Sequence, residues 1–351
     1  MFSAVPSRLG WGRFVRKASL SFSLLTFLLP QQTVFSQYPS DSQDFTVLQS
    51  ESIVDKEISN GQKHVYRIDL AAGQYASISI FQRGIDISLT ILDADGNLFA
   101  EPEVSKAENH EKLISILAEQ TSKFSLNITT KTQNTQTGSY RIKTGNIKAP
   151  TEKERELAEA FRLSSEGRKL GQTAKYDEAL AKQQQALEIL VKAADLEDVR
   201  IADVNNEIGL IYDGKSNIKN AKEYYLKALG VYERVLGPEN YYVAAVLNNL
   251  GPVYRAAGDF DKASESYQRA LAINEKLFGH EDLSVAFILN NLGFLYYAKG
   301  EYARAEEPYL RALAIRKKQL GSDNMDVATL MNNLALLFRV KGDYASSIAY
   351  F

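Results

Sequence analysis

Asn248-Asn249-Leu250-Gly251 returns 42 residues later as Asn290-Asn291-Leu292-Gly293, and after another 42 as Asn332-Asn333-Leu334-Ala335. A fixed period of this length dictates stacked supersecondary units, since one unit cannot bury its own apolar face and needs its neighbours to do so. Stacked arrays present a long concave surface and no single deep pocket. The expected role is binding, carried by a surface that repeats.

Aligning the second half of the chain by 42 gives a first-helix series of Gly167, Gly209, Gly251, Gly293 and Ala335, followed three residues later by Leu170, Tyr212, Tyr254, Tyr296 and Phe338. A second helix is predicted to open at Tyr176, Ile218, Phe260, Tyr302 and Tyr344, with Ala179, Ala221, Ala263, Ala305 and Ser347 three residues into it. The small residues let two antiparallel helices approach closely, and the aromatic after each glycine is expected to fill the gap between pairs. Thr151 and Glu154 open the region with a capping-box pattern, a hydroxyl followed three residues later by a carboxylate. Pro252 and Pro308 fall inside predicted helices, where a lost backbone hydrogen bond favours a kink, mild at Pro308 and a local bend at Pro252. Five units are expected, the fifth stopping at Phe351 inside its second helix. With no polar capping helix after it, the chain reads as cut short of its continuation.

The phrases Val243-Ala244-x-x-Leu247-Asn248-Asn249-Leu250-Gly251-x-x-Tyr254 and Tyr267-x-x-Ala270-Leu271-Ala272-Ile273, with the inter-repeat Leu236-Gly237-Pro238-Glu239-Asn240, resemble the tetratricopeptide repeat. The 42-residue period is similar to the kinesin-light-chain subgroup, and the resemblance covers about residues 154–351. It implies an all-α right-handed solenoid whose first helices line a concave groove. It also implies that the two positions before the motif leucine face a ligand, which selects Asn248, Asn249, Asn290, Asn291, Asn332 and Asn333. The second unit reads Asn205-Asn206-Glu207 and contributes Asn206, whereas the first lacks the pair. Arg255, Phe294, Tyr297, Leu336 and Arg339 are expected nearby on the same face. A side-chain amide is both donor and acceptor, so it can pair with the backbone of an extended peptide. It can equally bond to the next repeat and set the superhelical angle, and both roles stay open on the sequence.

From Ser52 to about Ile147 the pattern is one of short alternating runs. In His64–Leu70, Val65, Arg67 and Asp69 fall on one face against Tyr66, Ile68 and Leu70 on the other. Further strands are expected at 75–81, 85–92, 112–117, 123–129 and 139–144, a spacing that suggests an antiparallel β-sandwich or jelly roll. Asp93-Ala94-Asp95-Gly96 reads as a hairpin turn, with a calcium site including Asp86 as the weaker reading because a third acidic position and a distal glutamate are missing. The sequon at Asn127 lies inside a strand and is read as unused. The runs Gly61-Gln62-x-His64-x-Tyr66-x-Ile68, Ala72-Gly73-Gln74-Tyr75 and Gln82-Arg83-Gly84-Ile85-Asp86 resemble a bacterial β-sandwich related to the pre-peptidase C-terminal domain. That resemblance implies an accessory module in an exported multidomain protein.

Ahead of it, Arg8, Arg13, Arg16 and Lys17 precede an apolar stretch, Ala18–Leu29, of 12 residues, then Val34 and Ser36 before Gln37. This is the layout of a secretory signal peptide, too short for a membrane span of about 20 residues. The expected organisation is a signal peptide at 1–36, a linker at 37–51, the β domain at 52–147 and the repeat array at 148–351. The expected location is periplasmic or extracellular, with no membrane span after cleavage.

A net charge of −2 gives no support for nucleic-acid binding, which needs a basic stripe. The chain has no cysteine, and its three histidines, His64, His110 and His280, are far apart in sequence, so no metal or other cofactor is expected. Phosphate loops, nucleophile elbows and His-Glu-x-x-His helices do not appear in the sequence. Two functions remain. One is an exported, non-catalytic scaffold that holds a protein or extended peptide in the groove. The other is the regulatory front of a larger exported enzyme, since chains resembling this order often continue into a caspase-like peptidase domain.

Overall fold

The computed structural model describes residues 45–102, 112–130, 137–193 and 198–350. The segment read as a signal peptide, His110 and Phe351 lie outside these residues.

Among the described residues nine strands come first: β1 (Thr46–Val47), β2 (Ile53–Ser59), β3 (Lys63–Leu70), β4 (Tyr75–Arg83), β5 (Ile87–Leu92), β6 (Leu98–Ala100), β7 (Lys112–Leu117), β8 (Ser122–Thr130) and β9 (Thr137–Thr144). They form two sheets, ordered β1-β3-β8-β5-β6 and β2-β9-β4-β7. Strands β2 to β9 pair as a nested hairpin, β2 with β9, β3 with β8, β4 with β7 and β5 with β6, all antiparallel. Successive pairs fall in alternate sheets, which is jelly-roll topology. The two inner faces share one core that includes Ile58, Ile68, Ile78, Ile87, Ile114, Leu126 and Ile142. In β3 the buried set is Tyr66, Ile68 and Leu70, as the alternation dictates.

Three strands differ from expectation. Strand β1 pairs parallel to β3 at Thr46–Tyr66 and Val47–Arg67, and Leu48 after it is 2% exposed. The sheet therefore begins inside the segment read as a linker, and it is not wholly antiparallel. Strand β2 carries Asp55-Lys56-Glu57, charges that hide its alternation and suit a strand hydrogen-bonded on one side only, by β9. Strand β6 is three residues long, too short to show a period. In the β5–β6 turn, Oδ1 of Asp93 accepts from the backbone N–H groups of Asp95 and Asn97, and Gly96 takes φ +78°. The Asp93 carboxylate is committed to the turn.

Ten helices follow among the described residues: α1 (Glu152–Gln172), α2 (Tyr176–Ala193), α3 (Val199–Gly214), α4 (Ile218–Leu236), α5 (Tyr241–Ala256), α6 (Phe260–Phe278), α7 (Leu283–Lys299), α8 (Tyr302–Leu320), α9 (Met325–Val340) and α10 (Tyr344–Tyr350). Each even-numbered helix opens at the residue the 42-residue alignment named. Thr151 and Glu154 form both bonds of the capping box. Helix α5 runs through Pro252 and α8 through Pro308, so neither proline ends its helix.

The glycine series has a tighter purpose than the sequence suggested. A Cβ built on Gly209 would lie 2.5 Å from the Tyr225 ring, and one on Gly293 would lie 2.7 Å from the Tyr309 ring. Tyr225, Tyr267 and Tyr309 come from the second helix of each pair and are buried. The aromatic that fills the glycine notch is on the partner helix, whereas Tyr296, three residues beyond Gly293, reaches α6 of the preceding pair, where its hydroxyl accepts from Nε2 of Gln268 at 3.2 Å. In the first pair Gln183 takes this place, fully buried, with Nε2 donating to the Ser164 carbonyl at 3.0 Å.

Candidate ligand-binding groove

A helix places residues three and four apart on one face. On α5 Gly251 lies under the Tyr267 ring of α6 and Ala244, two turns before it, is buried, while Ala245, Asn248, Asn249, Pro252 and Arg255 form the flank that adjoins this face. Successive first helices approach one another on that side, as α1 does α3, α3 does α5 and α7 does α9. The face is therefore continuous from repeat to repeat.

Along it the asparagines bond to each other. Nδ2 of Asn249 donates to Oδ1 of Asn206 at 3.3 Å, Nδ2 of Asn291 to Oδ1 of Asn248 at 3.0 Å, and Nδ2 of Asn333 to Oδ1 of Asn290 at 3.1 Å. Each bond joins the second asparagine of one repeat to the first of the repeat before it. The inter-repeat tie left open on the sequence is thus formed by six of the seven asparagines. Asn332 is exposed. The ties do not exhaust the amides, because each has two N–H donors and a carbonyl with two lone pairs, of which a single bond uses one. In the second repeat Glu207 stands where the later repeats have their second asparagine, and it pairs with Arg168 at 2.8 Å.

Beside the amides runs an apolar column of Leu210, Pro252, Phe294 and Leu336, each one turn beyond its asparagine. Phe294 is 37% exposed, and the Arg255 guanidinium of the preceding repeat sits 5.0 Å above its ring. This is cation–π geometry, worth about 0.5–1 kcal/mol at an exposed site. Arg339 is exposed. Tyr297 is half-buried with its ring 5.6 Å from Tyr302, so it packs partly on the next helix of its own pair. Sequence reasoning missed Phe287, half-buried one turn before Asn290, and Asp203, the equivalent residue before Asn206. Their signal was the three-residue offset from the asparagines.

The face thus carries side-chain amides, an apolar column and the guanidinium groups of Arg255 and Arg339. Among the described residues no three or more His, Asp or Glu side chains are placed to hold a metal, and no described helix is long and apolar enough to cross a membrane.

Residues 200–276 and 284–351 match the family model of the tetratricopeptide repeat. Solved structures similar to this chain include BtubC (BKLC) from P. vanneervenii, at 25% identity over 57% of this chain and 89% of that one, with a TM-score of 0.43. TPR-like repeats assigned to a kinesin light chain of Podosopora anserina match at 21% identity over 54% and 89%, TM-score 0.48. The Rap conjugation gene regulator of the plasmid pLS20, solved in complex with the Phr* peptide, matches at 16% identity over 56% and 52%, TM-score 0.44. The comparison with curated proteins found no match. Residues 200–276 and 284–351 therefore match the tetratricopeptide repeat, and the helical region around them is a TPR-like array.

Proposed function

We propose that this chain is an exported, non-catalytic scaffold whose concave groove holds an extended peptide or a protein segment. The observation that carries this reading is the uninterrupted face of α5, α7 and α9. There an amide ladder runs beside Pro252, Phe294 and Leu336, and a large aromatic is left 37% exposed in line with the amides. Exposed apolar surface rimmed by polar groups marks interaction sites. An extended chain satisfies its backbone through such donors and acceptors while its side chains enter the apolar pockets.

The direct test takes dodecapeptides selected from a random display library against the full chain. Phe294→Ala is expected to weaken their binding by about 1–3 kcal/mol, in the range of an aromatic anchor. Its melting temperature should move little, because the ring is already partly in solvent. Binding unchanged by Phe294→Ala would remove the ring from the site. Failure to select any peptide would count against the groove reading itself.

Export is the second half of the reading. The basic n-region, apolar stretch and Val34-x-Ser36 site support a mature chain starting at Gln37. N-terminal sequencing of protein recovered from periplasm or medium should read from Gln37, and an intact Met1 in the cytoplasmic fraction would refute it.

A further inference from the structure

The groove face is not open along its whole length. Phe161 and Asp203 each lie one helical turn before the ladder positions of their repeats, Ser164/Ser165 and Asn206/Glu207, and so share the groove face. Phe161 packs against the jelly-roll core. Asp203 receives Nζ of Lys112, the first residue of β7, at 2.5 Å, and the Tyr232 hydroxyl at 2.7 Å. One turn beyond Ser164/Ser165, Arg168 donates to the Glu101 carbonyl, just past β6, at 3.3 Å. Strands β6 and β7 both pack on α1. A cleft of about 330 Å³ remains between the two domains, lined by Phe99, Lys112, Ser164, Ser165, Arg168 and Asp203 among others.

The asparagine pattern fades where this cover begins. Serines stand at the ladder positions of α1, and Glu207, which faces Arg168, replaces the second asparagine of α3. The residues that match Phe161 and Asp203 further along are Ala245, Phe287 and Thr329, on helices that do not pack on β6 and β7 as α1 does, although Lys112 Nζ also lies 5.9 Å from the Tyr242 ring at the start of α5.

We infer that the jelly roll is a built-in occupant of the groove. It fills the first two repeats and stops an extended polypeptide there, confining it to α5, α7 and α9. This rests on the groove being the peptide site. Three first helices at packing distances of about 8–10 Å give roughly 20–30 Å of track, room for about six to nine extended residues at ~3.3 Å each. The ligand class is a short linear segment, or a chain end, whose path terminates against β6 and β7.

Because the chain has no cysteine, single thiols report the cover without a ligand. Ser165→Cys and Asn332→Cys occupy the groove face under the cover and at the open end. A bulky polyethylene-glycol maleimide is expected to label Ser165→Cys roughly tenfold or more slowly, since reaction must await opening of the domain contact. Adding Lys112→Glu should bring the two rates together, and Lys112→Glu with Asp203→Lys should separate them again, which misfolding would not do. Equal rates in the two single-thiol proteins would overturn the cover. The footprint is read by cross-linking the library-selected dodecapeptides through a terminal benzophenone. Adducts on α5, α7 and α9 alone support the stop, and with Lys112→Glu they should spread to α3 and α1. Adducts on α1 or α3 without that substitution would overturn the stop and keep the groove. Adducts only on the jelly roll or the second helices would instead overturn the groove reading, leaving the labelling result to stand on its own.

Discussion

Asp203→Ala is expected to be among the most destabilising single substitutions in this chain, by about 3–5 kcal/mol, because it strands a buried ammonium. The Lys112 side chain is 10% exposed and that of Asp203 15%, and the pair bridges the two domains. Charges taken from water gain little net stability as a pair, but removing one leaves the other with its full desolvation cost. Replacing both, Lys112→Met with Asp203→Leu, should therefore recover most of the loss, and that recovery identifies the mechanism. A two-domain chain with repeats need not unfold in one step, so the measurement is the urea midpoint followed separately by strand and helix signals. A loss below about 1 kcal/mol would class the pair with exposed salt bridges. The pH dependence has a definite sign. Burial pushes the Asp203 carboxyl up, but the charge of Lys112 and the hydrogen bonds from Lys112 and Tyr232 outweigh it and hold the group below its ordinary value of 3.8. The group's contribution is present above that ordinary value and is lost as pH falls through the lowered one.

Much of this architecture follows from the order of residues alone. A 42-residue period over several copies averages out local ambiguity, which is why the second-helix starts at Tyr176, Ile218, Phe260, Tyr302 and Tyr344 emerge directly. Strands with clean alternation, such as β3 and β8, are equally legible. Those that escaped had a physical reason to: β2 is masked by its charges, and β1 and β6 are too short for a period to exist. The site shows the same division. The groove positions of the asparagines are readable, since they repeat on one helical face. Their mutual bonds are not, because each spans 43 residues and depends on how far one pair rotates on the next. The tyrosines under the glycines, Tyr225, Tyr267 and Tyr309, also recur every 42 residues, but nothing local links them to Gly209, Gly251 and Gly293, so the sequence does not show the contact. The contact between Lys112 and Asp203 joins residues 91 apart in different domains, and no repeat announces it.

Asn290→Ala with Asn291→Ala removes two ladder bonds at once, the one Asn291 gives to Asn248 and the one Asn290 takes from Asn333. Each contributes about 0.5–1.5 kcal/mol net, and an unpaired buried acceptor adds to the loss. The acceptor left behind belongs to Asn248, which is only 5% exposed. The expected destabilisation is about 1–3 kcal/mol, seen as a lower melting temperature. Stability in a repeat array is nearly a sum of units and their interfaces, so the defect should also loosen what lies beyond it. Amide exchange in α9 and α10 should accelerate more than in α3 and α4. Asn332→Ala separates scaffold from ligand contact, because Asn332 is exposed at the open end of the ladder. If the amides also hold a peptide backbone, Asn332→Ala should weaken a library-selected dodecapeptide by roughly 2- to 10-fold with no change in melting temperature. The double substitution should then lower both affinity and stability, with affinity falling about tenfold or more. Should the double mutant melt earlier yet bind the peptide as before, and Asn332→Ala change neither, the asparagines would serve only to fix the angle between repeats. The peptide would then be held by Phe294 and its apolar neighbours.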